Sequence, residues 1–167
     1  MTIIKNLNNI KNSFFSIENL AVSFFILVLF FLDRVSKIYV INNFNENSVY
    51  LNDYLNIDLL WNTGIGFGLF STNSSLIYSL ISILISFVII FLLYIMLSSK
   101  KLDKFALAIL IGGAAGNLYD RISYNAVPDF IDIHYKNYHW FTFNFADIFI
   151  SLGIIFILLR DIFTKNA

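Results

Sequence analysis

The chain has 167 residues, of which 58% are hydrophobic and 13% charged, and its 11 basic residues balance its 11 acidic ones. An ordinary soluble domain carries about 25% charged residues, so this composition is typical of a membrane protein. The lack of net charge disfavours a nucleic-acid partner. The chain contains no cysteine, which excludes disulfides, thiol catalysis and cysteine-based metal sites.

The N-terminal segment has two features of a secretory signal peptide, because Lys5 and Lys11 precede an apolar run from Leu20 to Leu32. A cleaved leader ends in small residues of the A-x-A kind. Here the charged sequence DRVSK follows, at residues 33–37. We therefore expect a retained membrane helix.

Four segments are long enough to cross a bilayer, which takes roughly 20 mainly apolar helical residues. The segment from Leu76 to Leu97 is apolar almost throughout. The other three reach this length only with polar residues at one end, and they cover about residues 18–38, 104–121 and 144–163. The sequence therefore predicts four transmembrane helices.

Basic residues predict the orientation, because cytoplasmic segments are enriched in Lys and Arg. Seven of the 11 basic residues lie in the N-terminus, the connection after the second span and the C-terminus: Lys5, Lys11, Lys100, Lys101, Lys104, Arg160 and Lys165. We therefore expect both termini in the cytoplasm. This orientation brings the polar span ends together on the outer side, with Asp33, Asn117, Asp120, Arg121, Asn144 and Asp147.

Both outer connections are long. Residues 39–75 include VYLNDYLNIDLLW, whose alternation is typical of short strands, and a glycine-rich turn with Asn62, Gly64, Gly66 and Gly68. Residues 122–143 are interpreted as a second outer loop, which carries Asp129. The predicted fold is a single all-α membrane domain over residues 1–167, with four transmembrane helices and a small extracytoplasmic β-like subdomain between helices 1 and 2.

Several polar residues are candidates for a site. Asn117 and Arg121 lie four apart on one helical face, and their donors and acceptors suit a ligand's polar backbone. For Asp120 the favoured interpretation is a hydrated helix end whose charges pair with other loops. Asp33 and Lys37 are also four apart, which predicts a supporting salt bridge.

The glycine-rich ridge of the third span comprises Gly112, Gly113 and Gly116. Small residues let helices approach closely in lipid. We expect this ridge to pack the polar end of the third span against the fourth span.

Asp129 and Asp147 are candidates for a catalytic pair. Two carboxylates held close in a partly dry site tend to share one proton. The ionised one can take a proton from an attacking water, and the protonated one can stabilise the oxyanion and then protonate the leaving amine. Asp147 is the stronger candidate, since it lies in the first turn of an apolar span.

A metal centre is the alternative for the second outer loop. His134 and His139, with Asp129 and Asp132, are ligand types that zinc accepts. Their spacing matches no zinc motif, and both histidines lie among aromatic residues. We therefore expect no metal and no cofactor.

Two further functions remain as alternatives. A small ion-conducting or transport protein would also carry intramembrane acids, but the acids here gather at one face and the span from Leu76 to Leu97 contains no Asp, Glu, Lys, Arg or His. An assembly subunit would tolerate replacement of the aspartates.

The motifs resemble those of the lipoprotein signal peptidase family, also called signal peptidase II, over about residues 20–160. Five short motifs occur in the family's order: DRVSK at 33–37, NTGIGF at 62–67, GGAAGNLYDR at 112–121, VPDF at 127–130 and FNFAD at 143–147. The departures are few. The family usually has Gln in place of Arg34, an Ala pair in place of Ile65 and Gly66, and a β-branched residue in place of Pro128.

The resemblance implies an aspartic peptidase of the bacterial inner membrane, with its active site facing outward. It would cut lipid-modified prolipoproteins just before the diacylglyceryl-cysteine. Asp129 and Asp147 match the family's catalytic dyad, and Asp33 and Lys37 match a supporting pair. Positions that match residues lining the site for the substrate or the inhibitor globomycin are Asn62, Asn117, Arg121 and Asn144. Membrane lipids are further expected partners.

Overall fold

The computed structural model describes residues 16–44, 48–64 and 75–165. It contains four helices: α1 (Ile17–Phe44), α2 (Ser75–Ser98), α3 (Lys101–Tyr124) and α4 (Phe145–Lys165). Four strands complete it: β1 (Val49–Asn52), β2 (Leu55–Asn62), β3 (Val127–Tyr135) and β4 (Tyr138–Phe143). Lys5, Lys11, Gly66 and Gly68, which the sequence analysis singles out, lie outside the described residues.

Each predicted span coincides with one helix, and the first helix continues six residues further, to Phe44. Among the described helices, α2 alone is long and apolar enough in composition to cross a membrane. This stretch, Leu76–Ser98, has a mean hydropathy of 3.0, and only 11% of its most apolar part is buried. The other three helices carry the polar residues that form the interior described below.

The strands form one antiparallel sheet in the order β1-β2-β3-β4. β1 and β2 confirm the strands predicted from alternation. β3 and β4 arise from residues 122–143, so the expectations of a loop there and of a β-subdomain made only between helices 1 and 2 are wrong. The sequence gives no alternation in this region because β3 is buried continuously from Val127 to Phe130. Pairing with β2, such as Leu60 opposite Asp129, stabilises the strand.

Two glycines of α3 allow other elements to contact its backbone. A Cβ atom at Gly113 would collide with the carbonyl oxygen of Ala146 and would lie 3.1 Å from the Cβ of Phe149, both on α4. A Cβ atom at Gly116 would collide with the Asp33 carboxylate of α1. The predicted packing of the glycine ridge against the fourth helix is confirmed, and α3 lies at the centre of the bundle.

We expect Gly113→Ala to destabilise the protein, because the added methyl group meets backbone rather than a movable side chain. Overpacking of this kind costs about 1–3 kcal/mol, measured as a lower midpoint of thermal unfolding in detergent. Ser123→Ala, at an exposed position of the same helix, is the matched control. An unchanged midpoint for Gly113→Ala would contradict the close approach of α3 and α4.

Candidate active site

A buried lysine joins three helices at the polar end of the bundle. The Lys37 ammonium donates to Asp33 Oδ2 at 2.8 Å, Asn117 Oδ1 at 2.8 Å and Asp120 Oδ2 at 2.7 Å. The other Asp33 oxygen accepts a hydrogen bond from the backbone N–H of Ala146, at 3.0 Å, in the first turn of α4. The predicted Asp33–Lys37 salt bridge is therefore formed, and it also fixes α3 and α4 relative to α1.

Arg34 is a structural residue that the sequence analysis did not identify. Its guanidinium forms a buried ion pair with Asp120 and lies 4.6 Å from the centre of the Tyr119 ring. Asp120 is fully buried, and Arg34 and Lys37 of α1 both neutralise it, so the expected pairing is formed, but the expectations of a hydrated position and of partners on loops are wrong. Arg34 and Lys37 are three residues apart and therefore share one face of α1. This spacing is the signal that could have indicated that both pair with the same acid.

Asn144 and Asp147 cap the start of α4 reciprocally. The backbone N–H of Asp147 donates to Asn144 Oδ1 at 3.1 Å, and the backbone N–H of Asn144 donates to Asp147 Oδ2 at 3.2 Å. This is the arrangement of a capping box, in which two otherwise unpaired N–H groups are satisfied. The Asn117 amide donates to the remaining oxygen, Asp147 Oδ1, at 2.8 Å.

Asp129 lies on β3, within hydrogen-bonding distance of the same asparagine. Its two oxygens accept hydrogen bonds from the side-chain amides of Asn144, at 2.6 Å, and Asn62, at 2.8 Å. One asparagine side chain therefore connects Asp129 to the residue that caps α4, Asp147. Burial raises the pKa of Asp129 to about 7, and the charge of Asp147 adds to this increase.

Gly64 and Arg121 form the edge of this cluster. The backbone N–H of Gly64 donates to Asn62 Oδ1 at 2.8 Å. The Arg121 guanidinium donates to the carbonyl oxygens of Gly64, at 3.0 Å, and Asn117, at 3.1 Å. The structure thus brings all ten candidate residues into one connected group: Asp33, Lys37, Asn62, Gly64, Asn117, Asp120, Arg121, Asp129, Asn144 and Asp147.

An apolar groove of about 380 Å³ lies between α2, α3 and α4. Its walls include Leu84, Val88 and other aliphatic residues of α2. Its polar lining consists of Asn117, Arg121, Asp147 and Ser151. Asp129 is only 1% exposed, whereas Asp147 is partly exposed and lines the groove. A ligand in the groove would therefore meet Asp147 first.

The four possible metal ligands considered for the second outer connection are not brought together. Asp129 belongs to the cluster around Asn144, whereas Asp132, His134 and His139 form a separate group on the β3–β4 hairpin.

Comparisons with known proteins extend over most of the chain. A family model described as signal peptidase (SPase) II matches residues 25–163. The lipoprotein signal peptidase of Pelagibacter ubique (strain HTCC1062) is 45% identical over 161 residues, which cover 95% of this chain and 93% of that protein. The lipoprotein signal peptidase of Francisella tularensis subsp. novicida (strain U112) is 35% identical over 151 residues, covering 86% and 93%.

Solved structures of bacterial membrane enzymes have the same fold. One, determined by the in meso method at 2.3 Å resolution, is 25% identical and superposes with a TM-score of 0.72, covering 87% of this chain and 89% of the other. A second, at 1.9 Å resolution, is 27% identical with a TM-score of 0.68, covering 84% and 91%.

We expect Lys37→Met to destabilise the protein strongly, because it leaves Asp33 and Asp120 buried without their shared cation. Removing one partner of a buried ion pair costs about 3–5 kcal/mol, which thermal unfolding in detergent can measure. Lys104→Met is the matched control, since the partner of Lys104 is Glu18, at 3.5 Å, whose side chain is 47% exposed. Equal effects of the two substitutions would contradict the role of Lys37.

We expect the protein to be less stable at pH 8 than at pH 5, and Asp129→Asn to reduce this difference. The raised pKa of Asp129 means that folding favours its protonated form. The resulting contribution to the free energy of unfolding is complete below the unfolded-state pKa of about 4 and is lost as pH rises through about 7. Its upper limit is about 4 kcal/mol. Thermal unfolding at both pH values tests it. Asp58→Asn, which replaces an exposed acid of β2, is the control and should keep the wild-type pH dependence. If Asp129→Asn also kept it, Asp129 would not be a source of the pH dependence.

Proposed function

Because the chain belongs to the signal peptidase II family, it is a membrane peptidase that removes signal peptides from prolipoproteins, and we propose that Asp129 and Asp147 are its catalytic residues. The observation that carries this proposal is the position of Asn144. Its amide N–H group binds one aspartate, and its amide oxygen and backbone N–H bind the other. The two carboxyl groups thus lie on either side of a single residue.

The two aspartates have the different environments that acid–base catalysis requires. Asp129, buried and with a pKa of about 7, is the one that holds the shared proton at neutral pH. Asp147 accepts hydrogen bonds at the N-terminus of α4, where the helix dipole favours negative charge. We assign Asp147 as the general base and Asp129 as the general acid.

Peptide hydrolysis then proceeds in two steps. A water oxygen attacks the scissile carbonyl carbon while Asp147 takes a proton from that water, and Asp129 donates a hydrogen bond to the developing oxyanion. When the tetrahedral intermediate collapses, the C–N bond breaks and the leaving nitrogen receives a proton from the aspartate pair. No metal, cofactor or covalent acyl-enzyme is required.

The remaining polar residues hold the substrate. Arg121 and Asn117 line the groove beside Asp147, so their donors suit the peptide backbone near the scissile bond, with Asn62 and Gly64 at the edge. The apolar part of the groove suits an apolar segment of the substrate and the acyl chains of its diacylglyceryl-cysteine, which is the residue that follows the cut. Globomycin-type inhibitors would occupy the same place. Neither a nucleic acid nor a cofactor takes part.

We place the protein in the bacterial inner membrane as four spans with both termini in the cytoplasm. The shortest helix, α4, has 21 residues, or about 32 Å at 1.5 Å per residue, which suffices for a hydrocarbon core of about 30 Å. α1 and α4, although less apolar than α2, expose large apolar side chains such as Phe24, Phe31, Ile155 and Leu158. Such surfaces suit lipid rather than water.

The sheet suits the outer membrane interface. Tyr50, Tyr138 and Trp140 on its strands and Tyr54 in the turn between β1 and β2 are all largely exposed, and Tyr and Trp are enriched where membrane meets water. We therefore treat residues 1–167 as one membrane domain whose sheet holds Asp129 over the outer ends of the helices.

We expect Asp129→Asn and Asp147→Asn each to abolish cleavage of a diacylglyceryl-modified prolipoprotein, because an amide can serve neither as base nor as proton donor. Purified variants would be assayed by the appearance of the mature lipoprotein. We expect the cleavage rate to fall by at least about a hundredfold, which is the lower end of the range for general acid–base catalysis.

Asp58→Asn, which replaces an acid on the exposed side of β2, controls for the loss of one negative charge. Thermal unfolding of each variant would establish that it is folded. Activity retained in either aspartate variant would exclude the assigned pair.

The wild-type enzyme should cut the unmodified precursor poorly, and equal rates on both precursors would argue against recognition of the lipid.

Cysteine labelling tests the proposed orientation, because the chain has no cysteine of its own. Asp58→Cys and Lys101→Cys introduce single thiols at exposed positions on the outer and cytoplasmic sides. A membrane-impermeant maleimide should label Asp58→Cys in intact spheroplasts and Lys101→Cys only after permeabilisation. The reverse pattern would require the opposite orientation.

A further inference from the structure

The β3–β4 hairpin gathers a second group of polar side chains, outside the aspartate pair. One ligand atom each from Asp132, His134 and His139 can be chosen so that all three lie within 4.8 Å of one another. The pairing of the strands explains this. His134 lies directly opposite His139, and the register shifts so that Trp140 is unpaired. Asp132 lies two residues before His134 on the same strand and therefore on the same face.

The hydrogen bonds of this group do not include His134 Nδ1. His139 Nδ1 donates to Asp132 Oδ2 at 2.7 Å, whereas His134 Nδ1 lies 3.7 Å from the same oxygen, beyond hydrogen-bonding distance. His134 is only 4% exposed, and its Nδ1 atom has no hydrogen-bond partner among the residues that the structure describes. A buried polar atom without a partner is unfavourable, so an additional ligand at this point would satisfy it.

We propose that Asp132, His134 and His139 form a binding site for a divalent transition-metal ion of the zinc class. Two imidazole nitrogens and one carboxylate oxygen are ligands that Zn²⁺ accepts, and a site with three protein ligands keeps its fourth position for water. Ca²⁺ and Mg²⁺ favour sets made only of oxygen ligands. The ion would neutralise the buried Asp132 carboxylate and accept the lone pair of His134 Nδ1.

The site is open to solvent on one side, because the side chain of His139 is 56% exposed. Asp132 and His134 are almost completely buried on the other side. An ion could therefore arrive from the solution that bathes the sheet and be held by ligands whose positions β3 already fixes. Only His139, on β4, would have to adjust.

This site does not depend on the proposed catalytic pair. Successive residues of a strand face opposite sides, so Asp129 lies on the face of β3 opposite to Asp132 and His134. The inference departs from the expectation of no metal, which rested on the spacing of the two histidines and grouped Asp129 with them. A bound ion would link β3 to β4 and stabilise the hairpin that leads into Asn144.

Metal binding by the purified full-length protein tests the proposal. The protein, stripped with EDTA and carrying no histidine tag, would be titrated with Co²⁺ as a spectroscopic probe and then with Zn²⁺. We expect one equivalent of Co²⁺ to give visible absorption bands of low coordination number, which Zn²⁺ removes and Mg²⁺ does not. Because imidazole must lose its proton to bind, affinity should fall as pH is lowered.

His139→Ala should weaken binding by at least about a hundredfold, since loss of a residue that merely orients a ligand already costs about 10–100-fold. Because His139 donates a hydrogen bond to the buried Asp132 carboxylate, the metal-free unfolding midpoint of each variant is the reference for its own response to Zn²⁺, and His139→Gln, which keeps an amide donor, provides a second variant. Asp58→Asn should bind as wild type does. Zn²⁺ should raise the unfolding midpoint of wild type and not that of His139→Ala. Absence of the cobalt spectrum, or equal affinity in the His139 variants, would overturn the proposal.

Discussion

The organisation of this protein depends on one ammonium group in a region of low dielectric constant. Lys37 is fully buried, and its three hydrogen bonds reach α1 itself and two positions on α3. Buried charges are tolerated only when they are paired and hydrogen-bonded. Because Asp33 also binds the backbone N–H of Ala146, the requirements of this one cation determine where α1, α3 and α4 meet.

The interior of the bundle is accordingly divided by polarity. Towards one end α2 and α3 pack with aliphatic residues such as Ile89 and Leu107, and towards the other end the helices meet through charges and amides. In the proposed membrane setting, lipid would offer no hydrophobic force that draws helices together. Close packing at glycines and the buried ion pairs of Lys37 and Arg34 therefore hold the polar end of the bundle, and both occur beside the proposed catalytic residues.

Sequence reasoning identified the four helices, β1, β2 and the members of the polar cluster, because long apolar runs and i, i+4 spacings are local signals. It did not predict the β3–β4 hairpin, since β3 is stabilised by pairing with a strand about 70 residues earlier. Nor did it anticipate that Asp132, His134 and His139 would separate from Asp129. That separation follows from the two-residue periodicity of a strand, which was not applied to a segment interpreted as a loop.

The cap of α4 has a consequence for how firmly the proposed active site is held. In the first turn of α4, the carboxylate of Asp147 accepts a hydrogen bond from the backbone N–H of Asn144. Rotation of this carboxylate would therefore break one of the two reciprocal hydrogen bonds that cap a 21-residue helix, in addition to changing a rotamer. The helix cap thus restrains the carboxylate oxygens of the proposed catalytic residue Asp147, and moving them would weaken the end of α4 as well.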